Sequence, residues 1–223
     1  MVSAALFAQD ACEVAASLVG MVLRRRYQGV WLAAAIVEAE AYYLEEKGSH
    51  ASLGRTPSRE ALFMPPGTIY MYYARGGDSL NLSVRGAGNA VLVKSARPYV
   101  DRRSPAANLT LMHQLNPAPR GPRPEHRLCA GQTLLCRALA LKVPEWNRRP
   151  FDPKEFYLED VGDRPELIQA RRLGIPVGRD EHLLYRFVDA GHLRSSTQSP
   201  LSRGAIEGRD YQRWSAARTP LSR

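Results

Sequence analysis

Four strand-like runs within residues 30–96 constrain the fold of this chain more than any other feature. They are VWLAAAIV (30–37), TIYMYY (68–73), SLNLSV (79–84) and NAVLVKSA (89–96). Their apolar, β-branched and aromatic residues, with Gly and Pro between the runs, are typical of strands joined by turns. The Gly-Gly of ARGGDS (74–79) predicts a hairpin tip. Because strand runs precede and follow helical segments without strict alternation, an α+β fold is favoured over a doubly wound sheet.

Two other segments carry helical signals. Asp10 and Glu13 match a capping box before an apolar run that Gly20 can end, which predicts a first helix. The run LLCRALALKV (134–143) has a broad apolar face, which predicts a second one. Between them, residues 104–127 contain five prolines and several basic residues, so we expect a long exposed loop.

The C-terminal segment differs in composition from the rest of the chain. Beyond Ser195 it is rich in Ser, Arg, Gly and Thr and has few large apolar residues. Such a segment buries too little apolar surface to order itself. We therefore expect one domain at residues 1–194 and a mobile tail at residues 195–223.

Cysteine usage and apolar content bear on the cellular compartment. The chain has three cysteines, and an odd number argues against a disulfide framework. Cys129 and Cys136 lie in a helix-like run whose geometry separates their Cα atoms by about 10 Å, too far for a bridge. Reduced thiols, and no run near the roughly 18 apolar residues of a membrane span, predict a cytoplasmic protein with no membrane partner.

Positive charge is concentrated in one part of the chain. The net charge is +9, and residues 97–149 hold ten Arg or Lys against three acidic residues. Such a local excess is typical of a surface that binds a polyanion, most simply nucleic acid. Two alternatives stay open: a solvated basic surface, and a GC-rich genome that raises arginine to 27 residues against four lysines.

The stretch IVEAEAYY (36–43) places two carboxylates in an apolar, strand-like run. A buried carboxylate is costly unless it has a partner or a chemical role. In a strand, Glu38 and Glu40 would lie about 7 Å apart with parallel side chains, which favours one active carboxylate over an acid–base pair. The alternative for Glu40 is an ion pair at a strand end.

Tyrosines and one histidine follow these carboxylates. Tyr42, Tyr70 and Tyr72 supply flat faces on which a purine can stack, although aromatic strand packing is an alternative for each of them. His50 lies among small residues, with no second His or Cys at metal-ligand spacing. The sequence therefore predicts no metal ion, and it shows no cofactor-binding loop.

The chain resembles the 3-methyladenine (alkyladenine) DNA glycosylase family through a series of blocks in the family's order. The blocks are IVEAEAYY, SHAS, GRTPSREALFMPPGTIYMYY, NLSV, AVLVKSARP, LCAGQTLLCRALAL, RLGIP and LYRFV, from about Ala15 to Val188. Family members show E-T-E-A-Y, M-F-x-x-P-G-x-x-Y-V-Y, V-L-(I/L)-R-A-x-x-P and L-x-x-G-P-x-K-L. The resemblance implies a divergent bacterial-type member. Its fold would be one α+β domain with a curved, mainly antiparallel sheet, flanking helices and a protruding β-hairpin.

The resemblance also implies roles for individual residues. Glu40 matches the general base that activates water, and Tyr42 and Tyr72 match the walls around an extruded base. His50 matches the histidine that contacts the edge of the base, and Asn81 matches the asparagine that crowds the exocyclic amino group of guanine.

Three positions depart from the family pattern. Lys94 stands where the family usually has an arginine near the DNA backbone. The hairpin of the family carries Y-x-x-Y-G-M, whose last tyrosine wedges into DNA, whereas this shorter hairpin has Tyr73, Arg75 and Gly76. Arg75 stands at the wedge position, and Tyr73 is the alternative wedge. The later G-P-x-K-L is replaced by GQTLL (131–135).

The function implied is that of a monofunctional, monomeric and nucleoid-associated DNA-repair hydrolase without a cofactor. It would flip 3-methyladenine, and related damaged purines, out of double-stranded DNA and hydrolyse the N-glycosidic bond. One alternative is a non-catalytic damaged-DNA-binding protein with the same fold. A second is a small-molecule transferase or RNA-modifying enzyme on a related fold.

Overall fold

Residues 1–74 and 76–214 are described by a computed structural model, and their strands form one nine-stranded sheet. The strands are β1 (Val22–Tyr27), β2 (Val30–Tyr42), β3 (Ile69–Ala74), β4 (Gly77–Ser83), β5 (Ala90–Pro98), β6 (Phe156–Glu159), β7 (Leu167–Ala170), β8 (Arg186–Asp189) and β9 (Tyr211–Trp214). The α-helices of the described residues are α1 (Ala11–Leu18), α2 (Leu109–Leu115), α3 (Gln132–Ala138) and α4 (Val143–Trp146). All pairings between these strands are antiparallel, which confirms the α+β prediction.

The long strand β2 is the centre of the sheet. Strand β5 pairs along one of its edges, while β1 and β8 pair with different halves of the other edge. The order continues from β5 through β4 to β3, and from β8 through β7 to β9, with β6 beside β1. The second half of β2, which carries Glu38 and Glu40, is therefore enclosed between β5 and β8.

Helix α1 forms where the capping signals predict it. The Cys12 N–H donates to the Asp10 carboxylate at 2.9 Å, and the Asp10 N–H donates to Glu13 at 3.2 Å. These bonds satisfy N–H groups that the first turn of a helix leaves without partners. The apolar side of α1 then packs into the main core together with residues of β2 and β5.

The four predicted strands correspond to β2, β3, β4 and β5, and the predicted hairpin joins β3 to β4. Strand β1 was not predicted, because its sequence VLRRRY looks too polar for a buried strand. Arg24 is nonetheless only 2% exposed, since its guanidinium lies 2.6 Å from Asp101 and 2.7 Å from Glu159. A buried arginine is tolerated when charge partners of this kind surround it.

Of two expectations about the middle of the chain, one is wrong and the other is confirmed with different bounds. Residues 104–127 are not one long exposed loop, because the apolar run Leu109–Leu115 forms α2 and buries Met112. The helix expected at 134–143 spans Gln132–Ala138 instead. It ends early because Ala140 adopts a positive φ of 49°, which an α-helix does not accommodate.

The C-terminal segment does not start as a separate tail at residue 195. The Thr197 N–H donates to Glu38 at 2.7 Å, and Tyr211–Trp214 forms β9 against β7. The expected tail boundary is therefore wrong for residues 195–214, which complete the sheet and its buried polar bonds. The rest of that expected tail, residues 215–223, lies outside the described residues.

The cysteines and helices of the described residues bear on the expectations about compartment. All three cysteines are free thiols, and Cys129 and Cys136 are fully buried. Burial raises the pKa of both thiols, which makes them unreactive. No helix within residues 1–74 and 76–214 is long and apolar enough to cross a membrane.

Candidate active site

Glu40 lies in the interior of β2 and is fully buried. Three donors from different parts of the chain converge on its carboxylate. The Tyr42 hydroxyl donates to Oε2 at 2.7 Å, and the Lys94 ammonium lies 3.3 Å from the same oxygen. The Leu173 N–H donates to Oε1 at 3.2 Å. The carboxylate is therefore paired and hydrogen-bonded, as a charge in a protein interior must be.

These donors also set the protonation state of Glu40. Burial disfavours the charged form, but the Lys94 ammonium and the Tyr42 hydroxyl outweigh it and hold the pKa of Glu40 below its ordinary value. The side chain is thus a carboxylate at neutral pH. A carboxylate has about four acceptor positions, and the described residues use three of them here.

Glu38 has a separate set of partners. Arg186 lies 2.6 Å from Oε1, while the Ser95 hydroxyl and the Thr197 N–H donate to Oε2 at 2.8 and 2.7 Å. The strand pairing is irregular on both sides of Glu38, at a bulge in β2. Among the described residues, no hydrogen-bond donor is shared between Glu38 and Glu40, which fits the interpretation that the two carboxylates are not an acid–base pair.

A cavity of about 170 Å³ opens beside Glu40. Its lining includes all three of the residues that bond the carboxylate, Tyr42, Lys94 and Leu173. A closed cavity of about 150 Å³ holds one benzene ring, so this open one admits a flat heterocycle. The volume and the lining together favour a single base over a whole nucleotide.

Three ring side chains form one wall of this cavity. The rings of Tyr70 and Tyr72 stack at 5.2 Å between centroids with an interplanar angle of 22°, and the His50 ring lies 4.5 Å from that of Tyr72. His50 Nδ1 and the Tyr70 hydroxyl are hydrogen-bonded at 2.9 Å. Burial and the charge of Arg59 lower the pKa of His50, so its ring is neutral at physiological pH.

Known proteins are similar to this sequence over most of its length. A family model described as methylpurine-DNA glycosylase (MPG) matches residues 5–193. The chain belongs to the methylpurine-DNA glycosylase family. A relative from Pseudomonas aeruginosa (strain UCBPP-PA14), named "Putative 3-methyladenine DNA glycosylase", is 61% identical over 92% of this chain and 87% of its own length. The family resemblance of the sequence blocks is therefore confirmed.

Other relatives are similar to most of the chain as well. A relative of the same name from Pseudomonas savastanoi pv. phaseolicola is 60% identical over 92% of this chain and 93% of its own length. One from Carboxydothermus hydrogenoformans is 30% identical over 81% of this chain and 91% of its own length. The family model thus includes the strands from β1 to β8.

The structure brings together most of the residues that the family resemblance singled out. Tyr42, His50, Tyr72, Asn81 and Lys94 all line the cavity, and Glu40 lies directly behind Tyr42 and Lys94. The Asn81 amide donates to the Tyr70 carbonyl at 3.2 Å, which fixes its side chain against β3.

The residues assigned to the hairpin lie elsewhere. Tyr73 is 67% exposed and is not part of the cavity wall, and Gly76 is exposed at the hairpin tip with a φ of 81°. Arg75 lies outside the described residues. The substituted GQTLL segment packs against this hairpin. Thr133 lies so close to Gly77 that a Cβ at position 77 would collide with it.

One part of the site was not singled out from the sequence, and Tyr70 was noted only as one of several flat aromatic faces. Tyr70 stacks on Tyr72 and bonds His50, and the only sequence signal for this is the i, i+2 spacing of the two tyrosines. Arg172 and Leu173 reach Tyr42 and Glu40 from the segment after β7. No local pattern predicts these contacts, which join residues 130 and 133 positions apart. Among the described residues, no cluster of three or more His, Cys, Asp or Glu could hold a metal ion.

Proposed function

We propose that this chain is a monofunctional DNA glycosylase that acts as a monomer on double-stranded DNA. It flips 3-methyladenine and related damaged purines into the cavity and hydrolyses the N-glycosidic bond with a water held by Glu40. The observation that carries this proposal is an ionised, fully buried carboxylate whose donors line an aromatic cavity. The names of the relatives and the family membership support the same activity.

The cavity suits a damaged purine for physical reasons. Extruding a base from a duplex costs a few kcal/mol, and stacking in an aromatic pocket offsets part of that cost. An N-alkylated purine carries positive charge, so tyrosine faces attract it more than they attract an unmodified base. Tyr42 and Tyr72 supply these faces, and Asn81 narrows the space beside the ring.

The chemistry then needs one carboxylate and no strong acid. A cationic purine leaves without being protonated first, which agrees with a neutral His50 in the wall. Glu40 accepts a hydrogen bond from the attacking water and stabilises the oxocarbenium-like sugar by its negative charge. Lys94 is ion-paired with Glu40 at 3.3 Å, and the proposed mechanism includes no Schiff-base step for it.

Glu40→Gln is the variant that tests the proposal. We expect it to fold and to bind DNA but to release 3-methyladenine from methylated duplex at least about 100-fold more slowly, the usual contribution of a general base. Glu45→Gln, an exposed neighbour, is the matched control and should release base at the wild-type rate. Released bases are measured by HPLC under single-turnover conditions.

The other outcomes identify the alternatives. Near-normal release by Glu40→Gln would show that the Lys94–Glu40 pair is only a structural ion pair. No release by the wild type, with tight binding to alkylated duplex, would support a non-catalytic damaged-DNA-binding protein instead. Borohydride should trap no covalent adduct, and a trapped adduct would contradict the monofunctional mechanism.

A further inference from the structure

Arg172 occupies a buried position behind the cavity wall. It is 4% exposed and lies in the segment that follows β7. Its guanidinium carbon lies 4.5 Å from the centre of the Tyr42 ring and 5.4 Å from that of Tyr185. One of its nitrogens donates to the Ala41 carbonyl at 2.9 Å. Arg172 therefore contacts both the ring of Tyr42 and the backbone of the residue before it.

A charge partner fixes this guanidinium in place. Glu46, itself only 8% exposed, approaches Arg172 Nη1 to 2.5 Å. Two other nitrogens of Arg172, Nε and Nη2, are buried without a hydrogen-bond partner among the described residues. The faces of Tyr42 and Tyr185 offset the loss of hydration of these two nitrogens, since a planar guanidinium stacks well on aromatic rings.

The contacts of Tyr42 continue to the carboxylate. Its ring lines the cavity while its hydroxyl donates to Glu40. Leu173, the next residue after Arg172, donates its N–H to the other oxygen of Glu40. One short segment thus contacts the ring of Tyr42 through Arg172 and the carboxylate through Leu173.

We propose that Arg172 is a positioning residue for the glycosylase reaction, which holds Tyr42 so that its ring walls the cavity and its hydroxyl bonds Glu40. The inference rests on the proposed function for its kinetic test. Arg172 itself does not line the cavity, so it acts through Tyr42 and not on the base. A misplacement of about 1 Å costs on the order of 100-fold in rate, so such a support has a measurable effect.

The acid limb of the pH–rate profile reports the Tyr42–Glu40 bond. The groups that face the Glu40 carboxylate are Tyr42 on β2, Lys94 on β5, Arg186 on β8 and the Leu173 N–H. All of them stabilise the carboxylate. Losing the Tyr42 bond raises the pKa of Glu40, so the rate starts to fall at a higher pH.

The experiment is a double-mutant cycle between Arg172 and Tyr42. Arg172→Lys keeps a charge beside Glu46 but loses the flat group that stacks on the ring, and Arg172→Met removes both. We expect Arg172→Lys to slow single-turnover release at least about 10-fold and to move the acid limb in the same direction as Tyr42→Phe. The double variant should have the acid limb of Tyr42→Phe alone, because both changes break one bond. If Arg172→Met does not fold, the Lys variant decides the result.

Controls separate this inference from the proposed function. Arg171→Lys changes an exposed neighbour and should match the wild type.

The hydroxyl proton of Tyr42, assigned by its loss in Tyr42→Phe, is followed by NMR without any reaction. It should exchange slowly in the wild type and be lost or broadened in Arg172→Lys. An inactive wild type would refute the proposed function alone, and the NMR signal would still decide the role of Arg172. An unchanged signal, an unmoved acid limb or additive shifts would overturn the positioning role.

Discussion

At the scale of single residues, the Lys94–Glu40 pair is the feature on which the site depends. Both side chains are buried, and their charged atoms lie 3.3 Å apart. Breaking a buried pair by removing one partner costs about 3–5 kcal/mol, because the other charge is left uncompensated. The pair therefore links the stability of the sheet centre to the ionisation of Glu40.

Lys94→Met should raise the pKa of Glu40. In the wild type this pKa is below its ordinary value, so the ionised side chain contributes stability above that value and the contribution is lost as pH falls through the folded-state pKa. Without Lys94 the folded-state pKa rises, and the acid loss of both stability and base release should begin at a higher pH. Urea unfolding and release rates between pH 4 and 8 measure the two effects.

Lys94→Arg is the matched control for this prediction, since it keeps the charge and introduces the residue usual in the family. It should retain the wild-type acid limb. If Lys94→Met and Lys94→Arg have the same pH profile, the lysine does not control the ionisation of Glu40.

At the scale of elements, the β3–β4 hairpin differs most from the family pattern. Residues 74 and 77 pair at its end, and the exposed Tyr73 lies just before the tip. A side chain must fill the gap left by an extruded nucleotide, or the base returns to the stack. Arg75 and Tyr73 both have flat groups that can do this.

If Arg75 is the wedge, Arg75→Ala should reduce release from duplex DNA strongly and spare release from single strands, where no stack has to be held open. Tyr73→Ala should have the smaller effect on duplex. Arg85→Ala, which changes an exposed arginine beyond β4, is the control and should affect both substrates little. Equal losses on the two substrates after Arg75→Ala would assign that residue to general DNA binding.

The same elements show what a sequence can predict. The alternation in SLNLSV and TIYMYY was enough to place Asn81 and Tyr72 on strands, and both line the cavity. Strand alternation could not predict that Arg172 and Leu173 donate hydrogen bonds to β2. Those bonds depend on how the segment after β7 returns to the centre of the sheet. Strand β1 was missed for a related reason, since the partners that allow Arg24 to be buried lie 77 and 135 residues away.

At the scale of the whole molecule, we expect the excess positive charge of residues 97–149 to affect DNA affinity. The structure divides its arginines into two kinds. Arg103 bonds the Tyr157 hydroxyl and Arg123 donates to the Pro117 carbonyl, so both have structural partners. Arg102 and Arg120 are exposed, and they are the better candidates for phosphate contacts.

Replacing Arg102 and Arg120 with Gln should flatten the dependence of DNA affinity on salt. Each phosphate contact contributes about 0.9 to the slope of log K against log salt, so the slope should fall by roughly 2. Arg26 and Arg203, exposed and outside the segment, provide a control pair with the same change in net charge. An equal change in both pairs would mean that DNA senses only the net charge.

The partners of Glu38 have a consequence for the order in which the protein can fold. Arg186 and Thr197 follow Glu38 by 148 and 159 residues, and a ribosome adds about 5–20 residues each second. The central strand is therefore synthesised roughly 10–30 s before the groups that neutralise and bond its carboxylate exist. During that time the part of β2 that pairs with β8 has one edge without its partner, and an apolar nascent strand of this kind aggregates or recruits a chaperone. The bonds to Glu38 can be completed only after Thr197 has been synthesised.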